Sequence, residues 1–383
     1  MRRPRRPFGD MPAGQVRLVV SPLAHVLCSP SSVVAFLDRR RGEAAQAALP
    51  PPAGRVALLP RDAGHALAPV SASRHSARVL APIQVMPMLR PQVFERYIAP
   101  ARQRPQFWRL VVGLALVVVF YAGFLALTGL TLRLLMSDAA LLGALDRVSR
   151  GGDPITLLVL LASFSGLMLG TVVAARLMQG RGLASIIGPW RIALRDFFLG
   201  IGLALVAFAP AGLAWSGWSD LTPGLDPALW AALLPIALLG LIVQTGAEEA
   251  LFRGYMLQQL AARFRSPLGW LILPSLAFGL VHYDPVTMGG NTWLVVASTG
   301  LFGLIAADLT ARSGSLGLAW GLHFANNVYA LLIVSMGGGL DGLALWRYPH
   351  PPDAAALRPL MALDMALLAL IWLVGRFALR HRR

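Results

Sequence analysis

The sequence predicts an all-α polytopic membrane protein, with about eight transmembrane helices and a polar site inside the bundle. Of its 383 residues, 56% are hydrophobic and only 14% are charged, and the mean hydropathy is +0.62. A soluble domain carries about 25% charged residues. Several apolar stretches also exceed the roughly 20 residues that are needed to cross a bilayer. These observations exclude a soluble globular enzyme, and the single Cys28 excludes a disulfide-stapled secreted domain.

The strong positive charge indicates a membrane partner. All 34 basic residues are arginines, and the formal net charge is +16. A nucleic-acid-binding protein would gather them on one face with aromatic residues between them. Here they lie in the N-terminal tail and between apolar segments, as expected of cytoplasmic loops that meet anionic lipid headgroups. The predicted partner is therefore the lipid bilayer, and no nucleic acid is expected.

The N-terminal region differs in composition from the remainder of the chain. Residues 1–105 are basic and contain 15 of the 28 prolines, with no apolar run long enough to span a membrane. We predict that this region has low order. As a hypothesis, we place the true start of the protein at Met86 or Met88, because the membrane portion begins soon afterwards. Residues 106–383 are predicted to form the transmembrane helical domain.

Eight apolar stretches in this domain are each predicted to cross the membrane as a helix. They lie near residues 107–132, 155–178, 194–215, 231–259, 268–283, 292–311, 315–336 and 356–379. The fifth stretch is short and contains Pro274, so we expect it to be tilted or sunk into the bundle. Arginines concentrate in alternate connections and at the C-terminus, which is typical of cytoplasmic loops. We therefore expect both termini in the cytoplasm and the protein in the bacterial inner (plasma) membrane.

The fourth stretch carries three ionisable residues near its middle: Glu248, Glu249 and Arg253. A charged side chain at the centre of a membrane helix costs roughly 2.5–3.5 kcal/mol, so these residues must face the protein interior or a water-filled cavity. Glu249 and Arg253 are four residues apart and share a helical face, which favours an ion pair. Glu248 points about 100° away and is the candidate free carboxylate. The alternative is a single structural salt-bridge cluster.

Two further stretches carry histidine and amide groups. Phe278 is followed four residues later by His282, and His323 is followed four residues later by Asn327, so each pair shares a helical face. Asn326 is expected to be turned away from Asn327 and to be structural. Taken alone, His282 could be a packed residue, and His323 and Asn327 could serve only as hydrogen-bonding groups between membrane helices.

Together, the polar residues of the three stretches have the composition of a hydrolytic site. In a partly dry cavity, a carboxylate such as Glu248 can take a proton from a water molecule, which then attacks a carbonyl carbon. The amide of Asn327 and an imidazole N–H can stabilise the oxyanion that forms.

The residues resemble those of the CPBP family (CAAX prenyl proteases and bacteriocin-processing, or Abi, proteins), whose members are intramembrane proteases. The family pattern is E-E-x-x-x-R, F-x-x-x-H and H-x-x-x-N on three membrane helices. This chain has Glu248-Glu249-Ala-Leu-Phe-Arg253, Phe278-Gly-Leu-Val-His282 and His323-Phe-Ala-Asn-Asn327 in the same order. The resemblance covers about residues 190–340, which would form the protease core.

The resemblance implies an intramembrane endopeptidase that acts on a membrane-associated protein or peptide. It implies that Glu248 and His282 activate water, and that His323 and Asn327 hold the oxyanion. Glu249, Arg253 and Phe278 would support them.

The family is often labelled as metalloproteases. Zinc is a possible cofactor here, with Glu248, His282 and His323 as its ligands. The chain has no H-E-x-x-H motif, and we favour the metal-free mechanism.

Two other classes of protein would also retain Glu and His inside a bundle. A transporter or proton relay uses such groups for conduction. A non-catalytic membrane scaffold or immunity factor would use them structurally.

Overall fold

The computed structural model describes residues 91–135, 137–216 and 220–380, and this part of the chain is almost entirely helical. We number its α-helices in chain order. They are α1 Gln92–Ile98, α2 Phe107–Leu135, α3 Asp138–Arg150, α4 Pro154–Ala174, α5 Leu183–Ile187, α6 Trp190–Ser216, α7 Pro227–Glu249, α8 Leu257–Arg263, α9 Leu273–Leu280, α10 Pro285–Met288, α11 Thr292–Ser313, α12 Gly317–Val328 and α13 Arg358–Arg380. The predicted all-α class is confirmed.

Six described helical stretches are long and apolar enough to cross a membrane. They are Phe107–Leu134, Pro154–Gln179, Trp190–Gly212, Pro227–Arg263, Pro285–Ser313 and Ala355–Arg380. The fifth predicted span corresponds to the shorter apolar helix Leu268–Leu280. The seventh corresponds to α12 and a following π-helical turn, Tyr329–Ile333. The protein is thus an integral multi-pass membrane protein, whereas the total of eight spans stays a prediction.

The N-terminal region is helical where the structure describes it. From Pro91 on, α1 and the 3₁₀ turn Ala99–Gln103 pack on the bundle, with Phe94 fully buried. The Tyr97 hydroxyl donates a hydrogen bond to the carbonyl oxygen of Ile186 over 2.6 Å. The prediction of low order is therefore wrong for these residues, because a short apolar face suffices for packing against an existing bundle. Residues 1–90, including Met86 and Met88, lie outside the described residues.

One long helix carries the acidic pair of the fourth span. It begins at Pro227, where Asp226 caps the first turn, and it continues through α7 and α8 to Arg263. A π-helical segment, Ala250–Met256, joins α7 to α8 directly after Glu249. Wider π-helical turns occur often at functional sites. Here the turn lies next to the buried carboxylates.

Helices α6 and α12 pack with their backbones in close contact. A β-carbon at Gly317 would overlap the carbonyl oxygen of Ala193, and one at Gly321 would overlap the carbonyl oxygen of Phe197. Small residues four apart allow this approach between membrane helices. The contact fixes the depth and rotation of α12, the helix that carries His323.

A small three-stranded sheet joins two loops, in the order β1-β3-β2. The strands are β1 Thr222–Pro223, β2 Val334–Ser335 and β3 Trp346–Arg347. Strand β3 pairs antiparallel with β1 and parallel with β2. The sheet ties the segment after α12 to the loop that precedes α7.

Candidate active site

A buried ion pair between Arg253 and Glu249 supports the site. Nη1 of Arg253 lies 2.9 Å from Oε1 of Glu249, and the two residues are 1% and 0% exposed. The ion pair predicted from their spacing is therefore present. The guanidinium also lies over the ring of Phe278, 4.3 Å from its centroid. This is a cation–π contact, which places Phe278 in a packing position against the cation.

His323 lies between the two glutamates. Its Nδ1 is 2.9 Å from Oε1 of Glu249. A carboxylate only accepts hydrogen bonds, so Nδ1 of His323 is the donor and carries a hydrogen. The other ring nitrogen, Nε2, lies 3.6 Å from Oε2 of Glu248, which is longer than a direct hydrogen bond. His323 is thus anchored by Glu249 and faces Glu248.

Glu248 provides the unengaged carboxylate of the site. The residue is only 5% exposed, and its Oε2 atom is buried without a hydrogen-bond partner. A buried polar atom of this kind is normally satisfied by ordered water when the protein supplies no partner. Glu248 is therefore placed to bind a water molecule.

His282 follows the C-terminal end of α9, and a hydrogen bond to a backbone carbonyl fixes its tautomer. Nδ1 of His282 lies 2.7 Å from the carbonyl oxygen of Phe278. Because a carbonyl only accepts, Nδ1 carries the hydrogen, and Nε2 of the neutral ring is left as an acceptor.

The amide group of Asn327 is held by two neighbours. Its Nδ2 donates to Oε1 of Gln244 over 2.9 Å, and its Oδ1 accepts from Nδ2 of Asn326 over 3.2 Å. The expectation that Asn326 is turned away is wrong, because its side chain contacts Asn327 and lines the same cavity. Gln244 was not predicted, although it lies one helical turn before Glu248 and so shares its face.

One cavity of about 110 Å³ brings the candidate residues together. Side chains from five helical segments line it: Gln244, Glu248, Phe278, His282, Ser298, Thr299, Phe302, His323, Asn326, Asn327, Asp364 and Leu368. The four candidate catalytic residues Glu248, His282, His323 and Asn327 are all among them. Ser298 and Asp364 were also not predicted from the sequence as residues of the site. Asp364 could have been noticed as an acidic residue within the last apolar stretch.

The proposed zinc ligands do not have the arrangement of a metal site. In the described part of the chain, no three His, Cys, Asp or Glu side chains are grouped so that they could hold a metal ion. Glu248, His282 and His323 therefore do not fit a zinc ion in this arrangement, and no catalytic step is assigned to one.

The fold and the site define a class of protein: an integral membrane helical bundle with a carboxylate, two imidazoles and an amide around one internal cavity. Residues 229–329 match the family model of the Rce1-like type II CAAX prenyl endopeptidases. This segment contains every candidate catalytic residue, and the match confirms the predicted resemblance to the CAAX protease family.

A curated protein is similar to part of the chain. The "Uncharacterized protein YyaK" of Bacillus subtilis (strain 168) is 31% identical over an alignment of 116 residues that covers 29% of this chain. The match spans 38% of the relative's own length. No solved structure matches the chain significantly.

Proposed function

We propose that the protein is an intramembrane endopeptidase that hydrolyses a peptide bond of a membrane-associated protein or peptide. The observation that carries the proposal is the single cavity that gathers Glu248, His282, His323 and Asn327, with one buried oxygen of Glu248 left without a partner. A buried carboxylate oxygen that lacks a protein partner can accept a hydrogen bond from a water molecule in the cavity.

Glu248 acts as the general base in this proposal. A water molecule bound at its Oε2 loses a proton to the carboxylate while the water oxygen bonds to the carbonyl carbon of the substrate. Nε2 of His282, an acceptor in the neutral ring, holds the second hydrogen of that water and orients it. Glu248 then returns the proton to the departing amine as the C–N bond breaks.

The Asn327 amide and the His323 imidazole stabilise the oxyanion. One N–H of Asn327 is engaged by Gln244, and the second remains for the substrate oxygen. His323 contributes through Nε2 when both of its ring nitrogens carry a proton, because Nδ1–H is already donated to Glu249. A donor aimed at the developing negative charge accelerates such reactions by about 10²–10³-fold.

Glu249, Arg253 and Phe278 have supporting roles. The ion pair neutralises the second carboxylate, and it also fixes the acceptor to which His323 is hydrogen-bonded. The family match does not identify a substrate. We place the protein in the bacterial inner (plasma) membrane with both termini in the cytoplasm, on the arginine distribution alone.

Comparative proteomics of membranes tests the proposal. Cells that carry wild-type protein are compared with cells that carry Glu248→Gln, with equal insertion of both confirmed by immunoblot. We expect at least one membrane-associated peptide to be shortened in the first and intact in the second. A transporter would instead show substrate flux in vesicles with no cleavage, and a scaffold would keep its phenotype with Glu248→Gln. Either result would overturn the proposal.

A further inference from the structure

The cavity has a second carboxylate that the proposed mechanism does not use. Asp364 lies on α13 and lines the cavity together with Glu248. It lies outside residues 229–329, so the family match does not assign it a role. Its Oδ2 accepts a hydrogen bond of 3.1 Å from the hydroxyl of Ser298 on α11. This bond holds the carboxyl group at the cavity wall.

While the imidazoles of His282 and His323 are neutral, the charges around the cavity are unbalanced. Two carboxylates, Glu248 and Asp364, line it, and no arginine is among the lining residues. The nearby Arg253 does not compensate for them directly, because its guanidinium is hydrogen-bonded to Glu249. In a medium of low dielectric constant, uncompensated carboxylates attract a cation strongly.

Building on the proposed function, we propose that Asp364 is a specificity-determining residue that binds a basic side chain of the substrate, a lysine or arginine, close to the scissile bond. The Ser298 hydroxyl positions the carboxyl group, and Oδ1 of Asp364 remains for the cation. A cationic side chain bound here would supply the positive charge that the cavity wall lacks. It would also place the substrate carbonyl next to Glu248 in a fixed register.

The alternative role for Asp364 is structural. Its bond to Ser298 joins α11 to α13, and such bonds are a common link between membrane helices. The carboxylate of Asp308 provides a matched comparison for Asp364. Asp308 on α11 accepts hydrogen bonds from Arg312 and from Nε1 of Trp372, so it also joins α11 to α13, and it does not line the cavity.

The test uses the full-length chain in liposomes with a set of single-span peptides. The peptides are identical except that Lys, Gln or Glu occupies one position, which is moved along the sequence, and kcat/KM is measured by mass spectrometry. At one position we expect wild type to prefer the Lys peptide over the Gln peptide by about tenfold or more, because pairing a desolvated carboxylate with a cation has effects of this size. The Glu peptide should be the poorest substrate.

The variants separate recognition from structure. Asp364→Asn should bring the Lys/Gln ratio close to one, while Asp308→Asn should leave that ratio at its wild-type value. Because the ratio compares two peptides on one enzyme, a general loss of activity cancels. Asp364→Glu keeps the charge and should keep a Lys/Gln ratio above one. This variant still tests the inference if Asp364→Asn does not fold.

Two results would overturn the inference while the proposed function stands: cleavage by wild type with no preference for Lys at any position, or an unchanged ratio in Asp364→Asn with both peptides slowed equally. If wild type cleaves no peptide of the set, the proposed function fails, and the inference fails with it.

Discussion

Nδ1 of His323 lies 2.9 Å from Oε1 of Glu249, the same carboxylate oxygen that binds Nη1 of Arg253. One acceptor thus holds a cation and an imidazole at once. The arrangement fixes which nitrogen of His323 carries the hydrogen and turns Nε2 towards Glu248. Glu249 therefore positions His323, and Glu248 remains available for the reaction.

Removing the cation from this arrangement should destabilise the protein. Arg253→Met leaves Glu249 buried without its ion-pair partner, and breaking a buried pair in this way costs about 3–5 kcal/mol. The measurement is unfolding of the purified protein in detergent. Arg376→Met is the comparison, because Arg376 lies 3.7 Å from Asp308 at a partly exposed position, where an ion pair contributes about 1 kcal/mol or less. Equal destabilisation by the two substitutions would contradict this account of the buried pair.

Gly321 should tolerate no side chain. Gly321→Ala would bring a methyl group into the carbonyl oxygen of Phe197 and push α12 away from α6, which costs about 1–3 kcal/mol and displaces His323. Gly202 on α6 is the control, since a β-carbon there meets nothing within 4 Å. Thermal unfolding should show a loss for Gly321→Ala and none for Gly202→Ala. The close packing of α6 and α12 is refuted if both variants unfold at the wild-type temperature.

The variant His282→Asn should distinguish the role of Nδ1 of His282 from the role of Nε2. The asparagine amide can still donate to the carbonyl oxygen of Phe278 in place of Nδ1, but it has no atom at the position of Nε2. We expect peptide cleavage to fall about 10²-fold or more while unfolding stays unchanged. His350→Asn, at an exposed position in the loop before α13, should leave cleavage unaffected. Full activity in His282→Asn would remove Nε2 from the proposed reaction.

Acid should weaken the start of α4. The carboxylate of Asp153 accepts a hydrogen bond of 3.1 Å from the backbone N–H of Thr156, and this bond lowers the pKa of Asp153 below its usual value. A group whose pKa is lowered by folding stabilises the protein above its unfolded pKa of about 3.9 and loses that contribution as the pH falls through its folded pKa. Asp153→Ala should cost about 1 kcal/mol at neutral pH.

Asp153→Asn is the matched control for this pH effect. The amide oxygen can still accept from Thr156, so helix capping is retained without a titrating group. Unfolding in detergent, followed from neutral pH to about pH 3, should show a smaller acid-induced loss for Asp153→Asn than for wild type. Identical pH profiles would mean that this cap does not titrate.

Local spacing predicted the parts of the site that depend on one helix. The Glu249–Arg253 ion pair follows from four-residue spacing, and the burial of Glu248 follows from the cost of exposing a charge to lipid. The family pattern added the association of three helices, which no single helix reveals. The fold class followed from hydropathy, because the bilayer permits few alternatives for such long apolar stretches.

The remaining contacts depend on helix rotation and on partners that are distant in sequence. Asn326 was misplaced because its side-chain amide donates to Oδ1 of Asn327, which holds it at the cavity wall. Gln244 and Asp364 carry no motif and become visible only when their helices meet at one cavity. The packing of residues 92–103 was missed for a similar reason, since their burial depends on a bundle that the segment itself does not contain.

The most direct test of the central claim is peptide cleavage by the liposome-embedded protein in water enriched in oxygen-18. If Glu248 activates water against a peptide carbonyl, wild type should place one heavy oxygen in the new carboxyl terminus. Glu248→Gln should lower the cleavage rate by about 10²–10⁴-fold, while its insertion and unfolding remain those of wild type. Cleavage by Glu248→Gln at the wild-type rate, or a new terminus without the heavy oxygen, would contradict the account.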